Sequence, residues 1–173
     1  MIIEEALEDK QIKTVEKLAS EIWNQHFISI IGKAQVDYML EKFQSKKALS
    51  EQIKQGYLYF LIKTDNDDVG YLGVLPKKSE LFLSKFYIRF SERGKGFGKK
   101  TLQFVERLAE EKGLHKLTLT VNKNNTSSIN AYEKMGFTNI GAIVQNIGNN
   151  FIMDDYKMEK MLNSKTRFLA RHS

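Results

Sequence analysis

The chain has no cysteine, and that absence excludes a disulfide framework, a thiolate metal site and a cysteine nucleophile together. Its three histidines, His26, His115 and His172, lie far apart in sequence with no metal-ligand spacing, so no metal is expected. No apolar run approaches the roughly 18 to 20 residues that a membrane span needs. The start, Met1-Ile2-Ile3-Glu4-Glu5, is acidic where a secretory leader is basic. These absences predict a cytoplasmic protein with no membrane partner. Lysine and arginine never gather into a block of like charge, although the net charge is +6. Nucleic acid is therefore not favoured, and an anionic ligand such as a polyphosphate explains the basic balance equally well.

What is present suits one α/β domain over residues 1–162 followed by a basic polar tail, 163–173. The 173 residues are 42% hydrophobic, enough for a sizeable single core. A short apolar start, Met1 to Ala6, reads as a strand. Asp9 then precedes Ile12, Val15, Leu18, Ala19 and Ile22 at helical spacing. A second helical pattern carries Val36, Met39, Leu40 and Phe43, and a third carries Ala48, Leu49 and Ile53 as far as Gly56.

From Tyr57 the residues become aromatic and β-favouring. Tyr57 to Ile62 and Val69 to Leu75 flank the turn-rich Asp65-Asn66-Asp67-Asp68, and Leu81 to Ile88 supplies a third antiparallel neighbour. A helix from about Lys99 to Lys112 and a half-buried strand through Leu117, Leu119 and Val121 follow, so the strands on either side of that helix should run parallel. A short helix, Thr126 to Met135, and a closing hairpin, Gly141 to Ile147 with Phe151 to Met158, complete the pattern.

Two constellations carry chemistry. Arg93-Gly94-Lys95-Gly96-Phe97-Gly98 sits between a strand and an amphipathic helix. Glycines there let the backbone approach a ligand, and the helix N-terminus adds positive potential for a phosphate, reinforced by Lys95, Lys99 and Lys100. A plain glycine-rich turn is the bland alternative. A P-loop would need glycine at Arg93 and Ser or Thr at Lys100, and a dinucleotide fingerprint would need glycine at Lys99. The second constellation is Asn125-Thr126-Ser127-Ser128-Ile129-Asn130-Ala131-Tyr132-Glu133-Lys134-Met135-Gly136-Phe137, whose bland reading is a capped helix with a core tyrosine.

Both segments, in this order on either side of a strand, resemble the GNAT superfamily of N-acetyltransferases, whose Arg-x-x-Gly-x-Gly loop follows the fourth strand. The resemblance spans about Tyr57 to Met158. It implies a mixed, mostly antiparallel sheet with a parallel crossover at the cofactor site and helices on both faces, and acetyl-CoA as co-substrate without metal. It implies that the strand end Phe86, Tyr87 and Ile88 holds the pantetheine arm. The pyrophosphate falls to Arg93, Gly94, Lys95, Gly96, Phe97, Gly98 and Lys99. Asn125 and Ser128 are further cofactor contacts, and Tyr132 is the catalytic acid facing the sulfur.

The helical first third with Phe43, the Tyr57-Leu58-Tyr59-Phe60 strand and the ending Met153 to Lys160 resemble the PaiA-type spermidine/spermine acetyltransferases. The acceptor this implies is a small primary amine, a polyamine such as spermidine or spermine. A peptide or ribosomal-protein amine, or a non-catalytic acyl-CoA-binding module, are the alternatives, and a homodimer is compatible with either. Many relatives in the family place a glutamate on the fourth strand, whereas this strand has Lys85 near its centre and Glu80 only at its start, which leaves Glu80, Glu92, His26 and Tyr38 as candidate proton acceptors. Glu41, Glu51, Asp154 and Asp155 are candidate carboxylates for a polycation.

Overall fold

The computed structural model describes residues 1–163, so the basic polar tail expected over 163–173 lies, apart from residue 163, outside the described residues. A seven-stranded sheet has the order β1-β2-β3-β4-β5-β7-β6. Its strands are β1 (Ile2–Glu5), β2 (Leu58–Lys63), β3 (Asp68–Pro76), β4 (Leu81–Ile88), β5 (Lys116–Asn122), β6 (Thr138–Gly148) and β7 (Phe151–Met161). The helices are α1 (Asp9–His26), α2 (Ile28–Ile31), α3 (Lys33–Gln44), α4 (Lys46–Lys54), α5 (Phe97–Glu111) and α6 (Thr126–Lys134). Every neighbouring pair is antiparallel except β4 and β5, which the α5 crossover makes parallel. The expected fold class is therefore the observed one. Two details depart from expectation. The closing hairpin inserts its second strand, β7, beside β5 and leaves β6 at the edge, and the one-turn α2 precedes Gly32.

The two faces of the sheet have separate cores. On one, Leu72, Val74, Leu81, Leu83, Leu117 and Leu119 pack against Leu102, Val105 and Ala109 of α5. On the other, Tyr59, Leu61 and Tyr71 meet Ile12, Val15, Leu18, Ala19 and Ile22 of α1, and Leu49 of α4. Each fully buried aliphatic side chain contributes ~1.5 to 3 kcal/mol through removal from water. The start of α1 is fixed by Glu8 and Gln11, which cap each other's backbone, so the helix begins at Asp9 as its apolar spacing predicts.

What positions the site is a fault between β4 and β5. They pair only at Leu81 with Leu117 and Phe82 with Thr118, and then diverge. The divergence coincides with a bulge. Leu83 opposes Val74 and Lys85 opposes Gly73, leaving Ser84 as an extra residue without a partner in β3. A bulge of this kind bends its strand and interrupts the alternation of side chains. Leu83 therefore points into the α5 core, whereas Lys85 and Tyr87 turn to the opposite face and Phe86 and Ile88 take over the α5 side.

Candidate active site

The splayed strands open two cavities that meet. The smaller, about 280 Å³, runs along the end of β4 and the start of α5 and is lined by His26, Ile88, Glu92, Arg93, Gly94, Phe97 and Gly98. The larger, about 980 Å³, lies on the opposite sheet face beneath α1, α3 and α4. Phe86, Tyr87, Ser128 and Tyr132 line both and mark the junction.

Between side chains such as His26, Phe97 and Met135, the smaller cavity presents free backbone groups of a strand edge and a helix start. Arg89 N–H donates to Val69 on β3 at 2.8 Å. Successive residues of a strand aim their N–H groups in opposite directions, so those of Phe86 and Ile88 face the gap toward β5, where no strand pairs with them. The N-cap of α5 is Gly96, whose side is bare, so the amides of the first turn have no side-chain cap. Gly96 adopts φ +86, a left-handed conformation that a side chain would strain. Gly98 has no such constraint. It sits within the first turn, and a Cβ added there would meet nothing within 4 Å. Its bareness serves no protein packing and leaves the helix N-terminus open to an anion.

The expected cofactor residues divide between the cavities. Phe86, Tyr87, Ile88, Arg93, Gly94, Phe97, Gly98, Ser128 and Tyr132 line the smaller one, and Arg93 also ties the loop back by donating to the Ile88 carbonyl at 3.2 Å. Lys95 and Lys99 are exposed, and Lys95 pairs with Glu92 at 3.1 Å. Asn125 stands at the N-cap of α6 without capping it. Its Oδ1 instead meets His26 Nε2 at 3.0 Å, and it lines the larger cavity, not the smaller. Burial holds His26 below its ordinary pKa, and nearby Arg93 adds to this against the Asn125 hydrogen bond, so its neutral form is favoured.

Tyr132 projects from α6 between Phe86 and Phe137, at ring-centroid distances of 6.5 and 5.6 Å. Among the described residues its hydroxyl has no hydrogen-bond partner, and burial raises its pKa above the ordinary 10.0. The phenol is thus protonated and open to both cavities.

The larger cavity is made of side chains drawn from distant segments. Trp23 and Phe27 stack at 4.3 Å and meet Tyr87 edge-on, forming an aromatic wall. Lys85 is the feature the sequence reading passed over as a missing glutamate. It is 7% exposed, and its Nζ donates to Tyr59 Oη at 2.6 Å, Gln52 Oε1 at 3.0 Å and Ser84 Oγ at 3.4 Å. All three partners are neutral, and burial lowers its pKa from 10.5 to about 7. Gly73 makes this cluster feasible, because a Cβ there would stand 2.6 Å from the Tyr59 ring.

Of the candidate proton acceptors, Tyr38 donates its hydroxyl to the Ile147 carbonyl at 2.6 Å, and Glu92 is held by Lys95. Glu80 lines the larger cavity with Lys116 at 3.5 Å. Of the candidate carboxylates, Glu41 and Glu51 are exposed on their helices and absent from the cavity walls, and Asp154 pairs with Lys123 at 2.6 Å. Asp155 alone of these four lines the cavity, 5% exposed and without an ion pair among the described residues.

A family model described as the acetyltransferase (GNAT) family matches residues 11–137, more than half of the chain. The chain belongs to the GNAT acetyltransferase family. By that membership it is an acetyl-CoA-dependent N-acetyltransferase. The spermine/spermidine N(1)-acetyltransferase of Bacillus subtilis is 29% identical over 109 residues, covering 57% of this chain and 72% of its own. The PaiA N-acetyltransferase from Thermoplasma acidophilum, solved with coenzyme A, shares the fold at a TM-score of 0.76 and 22% identity, over 93% of this chain and 99% of that one. The ribosomal-protein-S18-alanine N-acetyltransferase from Escherichia coli also shares it, at a TM-score of 0.69 and 17% identity, over 94% of each chain. The N-acetyltransferase therefore has the GNAT fold, with likenesses to enzymes named for different acceptors. Among the described residues no helix is long and apolar enough to cross a membrane, and no cluster of three or more metal-ligating side chains occurs.

Proposed function

We infer that the enzyme acetylates a primary amine, a polyamine such as spermidine or spermine being the acceptor class to which the 29% identical relative points. The observation that carries the amine reading is the junction. A phosphate-binding helix start and a carboxylate-bearing cavity open from opposite sides onto the Tyr132 hydroxyl and the unpaired β4 amides. The bare first turn of α5 fits a pyrophosphate, and the free edge of β4 fits an extended amide-bearing arm laid along it as a further strand would lie.

Acetyl-CoA supplies the acetyl group as a thioester. The Phe86 and Ile88 N–H groups face the gap where carbonyl charge develops, and dry, fixed donors of that kind are worth more than solvated ones. The Tyr132 phenol, raised by burial, acts as a hydrogen-bond donor to the departing sulfur more readily than as a full proton donor. Trp23, Phe27 and Tyr87 set an aromatic wall on the larger cavity beside the meeting point.

One observation favours a second reading. Lys42, Lys77, Lys85 and Lys157 all line the larger cavity, against the carboxylates Glu80 and Asp155. An amine that also carries a carboxylate or phosphate would answer those lysines better than a bare polycation. A thiol-release assay across polyamines, amino acids, aminoglycosides and peptide N-termini separates the two. Spermidine or spermine is expected to lead, and activity confined to anionic amines or peptide N-termini would overturn the polyamine reading.

A further inference from the structure

We propose that Asp155 is the catalytic group that takes the proton from the acceptor amine. The proposal rests on the acetyltransferase reading above and supplies the base that β4, with Lys85, does not.

On β7, Met153, Asp155 and Lys157 face the larger cavity while Met158 points into the α5 core, so strand alternation aims the Asp155 carboxylate into that cavity. Register places it opposite Asn122 of β5 and Ile143 of β6, one strand beyond the β5 lip of the gap that faces Phe86 and Tyr87. It is close enough to Tyr87 for its charge to raise that phenol's pKa, and Tyr87 and Tyr132 both stand at the junction. The charged and titratable groups around it are Asp154 and Lys157 on its own strand, Lys123 after β5, Tyr87 from β4 and Tyr132 from α6. From β6 only Ile143 faces it, and His26 of α1 reaches the region through Asn125. Lys123 is taken up by Asp154 at 2.6 Å, which leaves Asp155 free to meet a ligand's ammonium.

The chemistry follows from an ordinary primary ammonium being almost wholly protonated near neutral pH. An N–H bond of the ammonium breaks with its electron pair staying on nitrogen, and an O–H bond forms on Asp155. The freed lone pair forms the C–N bond as the C–S bond breaks toward sulfur, the second proton on that nitrogen passes to the departing thiolate to leave a neutral amide and a free thiol, and Asp155 later returns its proton to water. Burial first, and then Asp154, lifts the carboxyl from 3.8 to about 6, while a Thr120 hydrogen bond and Lys123 oppose the rise. The group is thus ionised at pH 7 and basic enough to accept a proton.

The test is Asp155→Asn in the full chain, assayed for thiol release with acetyl-CoA and two acceptors. One is spermidine, and the other is a fluorinated diamine whose amine is mostly neutral at pH 7. Wild type should lose kcat/KM about tenfold per pH unit below about 6. The variant should lose kcat with spermidine by about 10² to 10⁴ and lose that acid limb, while its penalty with the fluorinated diamine falls below about tenfold. An equal penalty for both amines, carried in KM, would show a binding carboxylate only and overturn the proposal. Absence of spermidine turnover in wild type would overturn the polyamine reading instead.

Thermal melts then test the raised carboxyl of Asp155 without any acceptor. A carboxyl held above its unfolded value burdens the fold when ionised, and the burden is relieved as pH falls through about 6 toward 3.8. Asp155→Asn should therefore gain in Tm over wild type at pH 7 and lose that gain by pH 4. A pH-independent difference would overturn the proposal.

Discussion

The two cavities that meet at Tyr132 are built by opposite means. The smaller offers its ligand mainly backbone groups: a strand edge released by a bulge, and a helix start left bare by glycines within a few residues of each other. The larger is a product of side chains brought from α1, α3, α4, β4, β5, α6, β6 and β7, residues more than a hundred positions apart. A backbone site can serve any chain whose ligand is constant, because amides do not vary with sequence. A side-chain site can be rebuilt one residue at a time, which accounts for likenesses both to a relative named for spermine and spermidine and to a structure named for a ribosomal protein.

The sharpest way to break this contrast is at the junction. Tyr132→Phe keeps the ring between Phe86 and Phe137 and removes a hydroxyl that no described residue uses. Turnover at saturating substrate should fall by about 10² to 10⁴ while acetyl-CoA affinity stays within a few-fold and the melting temperature barely moves. A core tyrosine would behave the other way, losing about 1 kcal/mol of stability and keeping its rate. Turnover within threefold of wild type would make Tyr132 structural.

The same contrast explains what could be read in advance. The glycine loop, the following helix and the Asn125 to Phe137 segment are local patterns, and the strands and helices around them emerged from periodicity within a few residues. Asn125 was legible as an N-cap position but not as a partner of His26, because that hydrogen bond joins residues 99 positions apart. Lys85 was visible as a departure from the family, yet strict alternation would have put it in the α5 core beside Leu81 and Leu83. The Ser84 bulge reverses its direction, and no local signal in Leu81 to Ile88 announces a bulge. The helix α2 and the insertion of β7 between β5 and β6 were likewise beyond periodicity, the first for brevity and the second because strand order is a long-range choice.

Lys85 offers a second break, in stability. Its fall from 10.5 to about 7 means that the folded state disfavours the ammonium, so the unfolded chain binds the proton more tightly. The cost is fully present below about pH 7 and fades as pH rises toward 10.5, the reverse of a lysine that has gained a carboxylate. Lys85→Met removes the charge at similar volume and leaves Tyr59 and Gln52 bonded to each other. Urea unfolding should show a gain on the order of a few kcal/mol at pH 6, shrinking steadily as pH rises above about 7. A gain independent of pH, or a loss at every pH, would mean that the ammonium is compensated within the fold.

The smallest effect belongs to the backbone cavity, and the choice of glycine decides whether it can be read. Gly96 is held at φ +86, so a valine there strains the loop itself, and lost binding would not distinguish a damaged loop from a blocked ligand. Gly98 lies within α5 at ordinary helical φ with open space where a Cβ would go, and valine is more favourable than glycine inside a helix. Gly98→Val should therefore leave the melting temperature unchanged or slightly raised. Its branched side chain would stand over the first-turn amides and weaken acetyl-CoA binding by about tenfold or more, since a charge-assisted hydrogen bond to such amides contributes ~1.5 to 3 kcal/mol. Calorimetric titration of acetyl-CoA into the folded variant measures this directly. Unchanged affinity would place the pyrophosphate elsewhere and reduce the bare first turn of α5 to an ordinary turn.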